Sequence, residues 1–255
     1  MLDKQKCLWI TGGSSGIGKN LALKMASKGY KVAISARTKK KLQQVKKKSE
    51  NLRGSIHLYK LDITSKKNIK KSLNKIEKEI GEIGTVVLNA ALNYPVNCKN
   101  FSSEILEKLM KVNYNGTVNC LDEIIKRFIK KKSGKIAVVS SLAGYIGFPY
   151  SSGYCPTKAA LINLCESLRL DLKQYNIVLQ VINPGFVKTP MTDKNDFFMP
   201  FLISAEKAAE YIYKGLKTNR FEIIFPKIFA YILKLLRILP YFILFPILKI
   251  ISKNK

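Results

Sequence analysis

The chain has 255 residues, 47% of them hydrophobic and 24% charged, which are the proportions of one globular domain and argue against a fibrous or disordered protein. Its net charge of +28 comes from basic residues of which only six are arginines, so we interpret it as solvated surface lysine and predict no nucleic-acid partner. A single histidine, His57, and five scattered cysteines argue against a Ser-His-Asp triad, a metal site and a disulfide framework, and the free thiols predict a cytoplasmic protein.

Short apolar runs alternate with longer stretches of helical spacing over the first 220 residues. The runs are 7–11, 31–36, 55–60, 85–89, 135–140 and 178–183. This alternation predicts one α/β domain, residues 1–220, with a doubly wound parallel sheet and helices on both faces. Ligands of such sheets bind beyond the carboxyl ends of the strands, so functional residues are expected directly after each run. Because the first run leads straight into a glycine-rich turn, we predict no signal peptide.

A glycine-rich segment, 11–18, joins the first run to helical spacing at 19–27. Gly12 and Gly16 would let the backbone turn tightly and approach a pyrophosphate, and Gly18 would let the helix pack closely on the strand. The helix N-terminus would offer free N–H groups to the anion. The segment therefore predicts a dinucleotide site, although by itself it also fits a simple strand-to-helix turn.

The second and third runs end near two charged side chains. Arg37 follows Ala36, where an acidic residue would bind the adenosine ribose, and its guanidinium suits a 2′-phosphate. We therefore predict NADP(H) rather than NAD(H), the alternative being that Arg37 only begins a basic helix. Asp62 follows the third run and is expected either to accept the adenine amino group or to cap the helix near Thr64.

Further motifs follow in order along the chain. They are Asp62, Asn89-Ala90-Ala91, Asn113, Ser140-Ser141, Tyr154-x-x-x-Lys158 and Pro184-Gly185 with Thr189. With the glycine turn, they make the sequence from about residue 6 to residue 215 resemble a short-chain dehydrogenase/reductase of the classical type. The resemblance implies a Rossmann-like fold, NAD(P)-dependent chemistry at a carbonyl or alcohol carbon, and a homo-oligomer, either a dimer or a tetramer.

Tyr154 and Lys158 are four residues apart, so on a helix their side chains lie on one face. A phenol has a reference pKa near ~10, and a nearby ammonium group is expected to lower this pKa toward neutral pH. Tyr154 could then give or take a proton. Ser141 directly follows the run at 135–140, which places its hydroxyl at the sheet edge, where it is expected to hold the reacting oxygen.

The resemblance gives these residues their roles in reduction. Hydride passes from the nicotinamide to the carbonyl carbon, Tyr154 protonates the oxygen, Ser141 holds it and Lys158 also binds the nicotinamide ribose. Asn113 holds a water that connects the lysine to solvent, although in isolation it also fits a helix-packing amide. The implied catalytic residues are Asn113, Ser141, Tyr154 and Lys158. The implied cofactor-binding residues are Gly12, Ser14, Ser15, Gly16, Ile17, Gly18, Arg37, Asp62, Asn89, Tyr154, Lys158, Pro184, Gly185, Val187 and Thr189.

One motif departs from the family pattern. The family usually has Asn-Asn-Ala-Gly after the fourth strand, whereas this chain has Leu88-Asn89-Ala90-Ala91. Ala91 adds a methyl group where the backbone passes the cofactor. We expect this methyl to shift cofactor affinity without abolishing binding.

The apolar segment 196–202, from Asp196 to Leu202, lies where this family usually carries a substrate lid. Its aromatic and aliphatic side chains predict an apolar, lipid-like substrate, such as a long-chain keto compound, a keto-sphingoid base, a sterol or a retinoid. The alternative is that these side chains only pack the lid onto the core.

Residues 221–255 form a predicted apolar, basic helical tail. The longest uncharged stretch, 238–248, is broken by Pro240 and Pro246 and is too short to cross a bilayer. On a helix over 227–239, Lys227, Lys234 and Arg237 share one sector and leave a broad apolar face. This arrangement predicts peripheral attachment to the cytoplasmic face of a membrane. A dimer contact and a cover over the substrate pocket are the alternatives.

A second class of function is also compatible with the sequence. A regulator or membrane-docked scaffold could keep the fold and bind NADP(H) without doing chemistry. The intact Ser141, Tyr154 and Lys158 favour the enzyme.

Overall fold

The computed structural model describes residues 2–193, 195 and 197–253. Asp196 of the predicted lid and the last two residues of the predicted tail lie outside these ranges. All site residues predicted from the sequence lie inside them.

The strands of the described residues form two sheets, both parallel. The strands are β1 (Cys7–Thr11), β2 (Lys31–Ala36), β3 (Ser55–Lys60), β4 (Ile83–Leu88), β5 (Gly134–Val139), β6 (Ile177–Pro184), β7 (Val187–Lys188), β8 (Ile203–Ser204) and β9 (Glu222–Phe225). Seven of them form the main sheet in the order β3-β2-β1-β4-β5-β6-β9, while β7 pairs with β8. The predicted doubly wound parallel sheet is confirmed. Its strand order reverses between β1 and β4, where such sheets bind ligands.

Helices cover both faces of the main sheet. They are α1 (Gly16–Ser27), α2 (Lys39–Lys47), α3 (Lys66–Glu79), α4 (Ser103–Met110), α5 (Gly116–Lys131), α6 (Tyr154–Lys173), α7 (Ala205–Leu216), α8 (Lys227–Ile238) and α9 (Tyr241–Lys253). A π-helical turn, Lys111–Asn115, joins α4 to α5, and a 3-10 turn, Leu142–Gly144, follows β5.

Alternate residues of the strands face two separate cores, as the two-residue period of a strand requires. On one face, Trp9 of β1 packs with apolar side chains of α3, α5 and α6. On the other face, Leu8 and Ile10 pack with α1, α2 and α7. Because both faces are buried, the strands are nearly continuous apolar runs, which is why they were visible in the sequence.

The first three predicted strands match the structure, and the next three differ by one or two residues at their ends. The clearest difference is Asn89, which we placed at the end of the fourth strand. Its backbone N–H donates to the Thr11 hydroxyl at 2.9 Å instead of joining the strand ladder, so β4 ends at Leu88.

The sheet extends past the boundary that we predicted at residue 220. Glu222–Phe225 forms β9 and pairs with β6, so the helical part of the tail begins only at Lys227. Its apolar composition hid this edge strand, since a short buried strand and an apolar tail look alike in a sequence. Beyond it, Ala230, Leu233 and Leu244 of α8 and α9 pack on Leu142 and form a third, smaller core.

Candidate active site

The glycine turn between β1 and α1 depends on its glycines for steric reasons. Gly12 and Gly16 have φ of +67° and +52°, in the left-handed region that favours glycine. A Cβ on Gly12 would lie 2.8 Å from the Cα of Ala90, and a Cβ on Gly18 would lie 2.5 Å from the Gly12 carbonyl oxygen. The turn therefore runs close to β4 and delivers the N-terminus of α1, with its free N–H groups, to the sheet edge.

Asn89 and Thr11 fasten this turn to the end of β4. The Asn89 Nδ2 group donates to the carbonyl oxygens of Thr11 and Gly12 at 3.1 and 3.2 Å. In return, the Thr11 hydroxyl accepts the N–H groups of Asn89 and Ala90 at 2.9 and 3.1 Å. Asn89 thus shapes the turn through its side chain. We had assigned no role to Thr11, whose only sequence signal is a hydroxyl at the strand end before the first glycine.

Arg37 and Asp62 line the cavity at the ends of β2 and β3. The Asp62 Oδ1 atom accepts the backbone N–H and the hydroxyl of Thr64 at 2.9 and 2.8 Å and so holds the turn before α3, whereas the helix itself is capped by Ser65 and not by Asp62. Burial by itself would raise the pKa of Asp62, but the Thr64 hydrogen bonds and the charges of Arg37 and Lys111 hold that pKa below its usual range. Asp62 is therefore a carboxylate at neutral pH.

Tyr154 and Lys158 lie on the first two turns of α6, on the side that faces the end of β5. The Lys158 Nζ atom lies 5.5 Å from the centroid of the Tyr154 ring and donates to the Val139 carbonyl oxygen at 2.9 Å. The Ser141 hydroxyl lies near the Tyr154 phenol, where it lowers the pKa of Tyr154, and both side chains line the same cavity. The structure thus brings together the three side chains that the sequence predicted to act as one unit.

Burial changes the titration of this pair from what the sequence led us to expect. Burial, and next the neighbouring Cys155, raise the pKa of Tyr154 above its ordinary value, and the Ser141 hydroxyl opposes them only in part. Burial also lowers the pKa of Lys158, to about 7. Our expectation of a lowered phenol pKa therefore does not hold, because desolvation outweighs the effect of the Ser141 hydroxyl.

Asn113 is fully buried in the π-helical turn, and its side chain is engaged by protein groups. Its Oδ1 atom accepts the Leu92 N–H at 2.7 Å, while its Nδ2 group donates to the Leu92 carbonyl oxygen at 2.9 Å and to the Thr157 hydroxyl at 3.2 Å. Both amide hydrogens are thus used. The side chain thus ties the loop after β4 to α6, as expected of a packing amide, and the water-holding role stays a prediction.

The segment after β6 returns to the glycine turn. Pro184, Gly185, Val187 and Thr189 line the cavity, and the Thr189 methyl group would lie 3.1 Å from a Cβ on Gly16. Thr192, which we had not singled out, fixes this segment because its hydroxyl donates to the Val187 carbonyl oxygen at 2.7 Å and accepts the Thr189 N–H at 2.9 Å. Its only sequence signal is a second threonine three residues after Thr189.

One cavity of about 370 Å³ collects most of the predicted residues at the carboxyl edge of the sheet. Its predicted lining residues are Gly12, Ser14, Ser15, Gly16, Ile17, Arg37, Asp62, Asn89, Ser141, Tyr154, Lys158, Pro184, Gly185, Val187 and Thr189. Gly18 and Asn113 lie behind this lining and support it through the contacts described above. The volume lies in the range of small-molecule sites. Within the described residues, no cluster of His, Cys, Asp and Glu side chains could hold a metal ion.

Known proteins share this arrangement. Residues 6–197 match the family model of the short chain dehydrogenases. The chain is 31% identical to an uncharacterised oxidoreductase of Myxococcus xanthus over 231 residues, 91% of each protein. It is 32% identical to the 3-oxoacyl-[acyl-carrier-protein] reductase FabG of Thermotoga maritima over 193 residues, 76% of this chain and 78% of that protein.

A solved structure of ElxO with NADP bound superimposes with a TM-score of 0.77 at 27% identity, covering 86% of this chain and 97% of that one. The sheet order, the glycine turn and the Ser141, Tyr154 and Lys158 cluster are thus accompanied by similarity over most of the sequence. The chain belongs to the short-chain dehydrogenase family and is an NAD(P)-dependent oxidoreductase that acts on CH–OH or C=O groups.

Proposed function

We propose that this protein is an NADP(H)-dependent oxidoreductase for an apolar, lipid-like carbonyl or alcohol, with Tyr154 as the proton donor and acceptor. The observation that carries the proposal is the meeting of Ser141, Tyr154 and Lys158 with the glycine turn in one cavity. Substrate candidates are a long-chain keto compound and a keto-sphingoid base.

The residues present fit a dinucleotide. The crowded positions of Gly12 and Gly18 leave no room for a Cβ and bring bare backbone and the α1 N-terminus to the cavity. Arg37 and Lys41 line the adenosine end and offer two cations to a 2′-phosphate. ElxO, a relative at 27% identity, is known with NADP bound, which supports the same preference here.

Proton transfer is the task of this chain's own side chains. The bound nicotinamide supplies or accepts the hydride. In reduction, the Tyr154 O–H gives its proton to the substrate oxygen as that oxygen gains charge, and the Ser141 hydroxyl holds the same oxygen. The raised pKa of Tyr154 keeps this proton available before the reaction. The Lys158 ammonium group, when charged, then stabilises the phenolate that Tyr154 becomes.

An aromatic cluster beside the Pro184–Gly185 segment supports an apolar substrate. Phe186 lies 5.9 Å from Phe197 of the predicted lid and 5.9 Å from Phe229 of α8, as measured between ring centroids. Phe201 lies 5.7 Å from Phe229. The name of the FabG relative specifies a 3-oxoacyl substrate, which is also an aliphatic carbonyl compound.

The cofactor preference is tested by exchanging one side chain. We expect Arg37→Ala to weaken NADPH binding roughly 10- to 100-fold, since a hydrogen bond to a charged group contributes about 1.5–3 kcal/mol, and to leave NADH binding within about twofold. Titration of both nucleotides into each protein measures this difference. Equal losses for NADPH and NADH would show that Arg37 does not read the 2′-phosphate.

The substrate class is tested with 2-ketones of increasing chain length and NADPH. We expect kcat/KM to rise roughly threefold or more per added methylene group until the cavity is filled, since each buried methylene contributes about 0.8 kcal/mol. A flat dependence on chain length would contradict an apolar substrate.

We further propose that α8 and α9 attach the protein peripherally to the cytoplasmic face of a membrane. Their solvent side, here called the outer tail face, consists of Ile228, Tyr231, Leu235, Ile238, Tyr241, Phe242 and Phe245, each more than half exposed. No acidic residue follows Glu222, so the surrounding charge is basic and suits anionic lipid. None of the described helices combines the length and apolarity needed to span a bilayer.

The structure dictates how this attachment is tested. Truncation before β9 would remove an edge strand, so we choose Ile238→Ser with Phe242→Ser, at positions 77% and 78% exposed. We expect this double variant to lose roughly 10-fold or more of its co-sedimentation with phosphatidylglycerol vesicles, since each large apolar side chain contributes about 1.5–3 kcal/mol. Phe101→Ser, at a phenylalanine that is 62% exposed and lies outside the tail, is the control. Unchanged vesicle binding would contradict the attachment.

We propose a homo-oligomer, a dimer or a tetramer, as the family resemblance implies. Light scattering on the same variants separates oligomerisation from membrane attachment. We expect Ile238→Ser with Phe242→Ser to keep the mass of the wild-type assembly. A lower mass would instead identify the outer tail face as a subunit contact.

A further inference from the structure

A half-buried carboxylate, Glu222, joins four separate elements of the fold. It accepts hydrogen bonds from the Tyr145 hydroxyl and, at 2.8 Å, from the Asn183 Nδ2 group, and it forms an ion pair with Lys234 of α8. The Lys234 Nζ atom also lies 5.4 Å from the centroid of the Tyr145 ring. Lys234, which we predicted in the basic sector of the tail helix, is therefore paired with a carboxylate of the main sheet.

Two of these partners lie on either side of Ser141. Tyr145 ends the 3-10 turn that Ser141 caps by accepting the Ala143 N–H at 3.1 Å. Asn183 directly precedes Pro184, whose carbonyl oxygen accepts the Ser141 hydroxyl at 3.3 Å. One carboxylate thus fixes both backbone segments to which the Ser141 side chain is hydrogen-bonded.

The protonation states of Glu222 and Tyr145 fix the direction of the hydrogen bonds around this carboxylate. Burial by itself would raise the pKa of Glu222, but the hydrogen bonds from Lys234, Tyr145 and Asn183 hold it below the usual range, so Glu222 is ionised at neutral pH. Burial and the bond to Glu222 raise the pKa of Tyr145, which therefore stays a donor. The Asn183 Oδ1 atom is buried without a hydrogen-bond partner among the described residues, so contact with Glu222 decides the orientation of this amide.

We propose that Glu222 and Tyr145 are positioning residues for Ser141, and that Lys234 makes the position of Ser141 depend on how α8 is seated. The proposal rests on the role of Ser141 in the proposed function. α8 also carries part of the outer tail face. A movement of this helix would therefore alter the ion pair between Lys234 and Glu222, the carboxylate that orients the Ser141 hydroxyl.

The first test needs no substrate. Hydrogen exchange of the segment 140–146 is measured in the wild type, Lys234→Met and Tyr145→Phe, and we expect roughly fivefold faster exchange in both variants, since a lost hydrogen bond contributes about 1 kcal/mol. Lys234→Arg, which keeps the charge, is expected to restore slow exchange. Glu210→Gln is the matched control, because its ion pair with Lys24 joins α1 to α7 away from Ser141. Unchanged exchange at 140–146 would overturn the proposal.

The second test separates positioning from general destabilisation. With 2-decanone and NADPH, we expect Tyr145→Phe and Lys234→Met to lower kcat roughly 10- to 100-fold, the effect of a catalytic group displaced by about 1 Å, while the Kd for NADPH changes less than about twofold. Parallel losses in kcat, NADPH affinity and thermal stability would reduce these residues to a structural role and overturn the proposal. Ser141→Ala is measured alongside. If it alone lowers kcat, the positioning inference fails; if it has no effect, the proposed function fails too.

Discussion

The nucleotide end and the catalytic end of the cavity are built from different materials. The nucleotide end is backbone, shaped by Gly12 and Gly18 and fastened by Asn89. The catalytic end is side chain, and its two titrating groups, Tyr154 and Lys158, are desolvated by the same core that holds them. The difference teaches that folding alone can shape a site made of backbone. The protonation of a site made of titrating side chains depends both on the fold and on the charge of the molecule bound in the cavity.

The charge of Lys158 depends on which groups lie near its ammonium group. With a pKa of about 7, Lys158 is only partly charged at neutral pH, and its Nζ atom donates to the Val139 carbonyl oxygen. A carbonyl oxygen offers this ammonium group no negative charge. Any anionic group that binds near Lys158 would raise its pKa and, through the restored positive charge, favour the Tyr154 phenolate.

The largest expected effect comes from removing the phenol oxygen. Tyr154→Phe should lower kcat roughly 10²- to 10⁴-fold, the contribution of a general acid or base, and leave NADPH affinity within about twofold. Steady-state turnover and NADPH titration measure the two ends of the cavity separately. Turnover close to that of the wild type would remove the proposed mechanism, and a large loss of NADPH binding would show that the two ends are not independent.

The next effect concerns the free energy of unfolding and its pH dependence. The lowered pKa of Lys158 corresponds to a cost of about 5 kcal/mol for burying the charged side chain. Lys158→Met removes this cost but also loses the hydrogen bond to Val139, which contributes about 1–2 kcal/mol. The variant should therefore be more stable than the wild type by about 3 kcal/mol below pH 7. Between pH 7 and the ordinary lysine pKa, the unfolded chain binds the proton that the folded chain has lost. The wild type therefore gains stability as pH rises, and the advantage of the variant shrinks.

Denaturant unfolding of both proteins at pH 6 and pH 9 checks this prediction. Lys40→Met, at a solvent-exposed position, controls for replacing a lysine by a methionine and should stay within about 0.5 kcal/mol of the wild type. A destabilised Lys158→Met at pH 6 would mean that the ammonium group is better solvated than its burial indicates.

A smaller effect is expected at the backbone end. In Gly18→Ala the new methyl group would meet the Gly12 carbonyl oxygen, so we expect a loss of about 1–3 kcal/mol in stability and weaker NADPH binding. Gly147→Ala is the matched control, because a Cβ there meets no atom within 4 Å in the described structure. Equal NADPH affinity in both variants would indicate that the glycine turn is less rigid than its contacts suggest.

The smallest effect separates the contact of Asp62 with Thr64 from its predicted contact with the adenine. Because Asp62 accepts two hydrogen bonds in the turn before α3, Asp62→Ala should destabilise the nucleotide-free protein by about 1 kcal/mol, as the loss of a hydrogen bond does. Thermal unfolding without nucleotide measures the contribution of the Asp62–Thr64 contact to stability, and NADPH titration then measures any contact with the adenine. Unchanged stability together with weaker NADPH binding would favour the adenine role instead.

The sequence by itself determined the parallel sheet, the order of the motifs and the residues that meet at the sheet edge. The sheet, the glycine turn and the Tyr154–Lys158 pair follow from local signals, namely apolar runs, glycines at fixed spacing and a four-residue interval on a helix, while the resemblance to the family implied the other site residues. Only the tertiary structure decided that burial raises the phenol pKa, that Asn113 is engaged by Leu92, that Glu222–Phe225 joins the sheet and that Lys234 is paired. The reason is physical, since desolvation and pairing depend on side chains that are distant in the chain, and no local spacing encodes them.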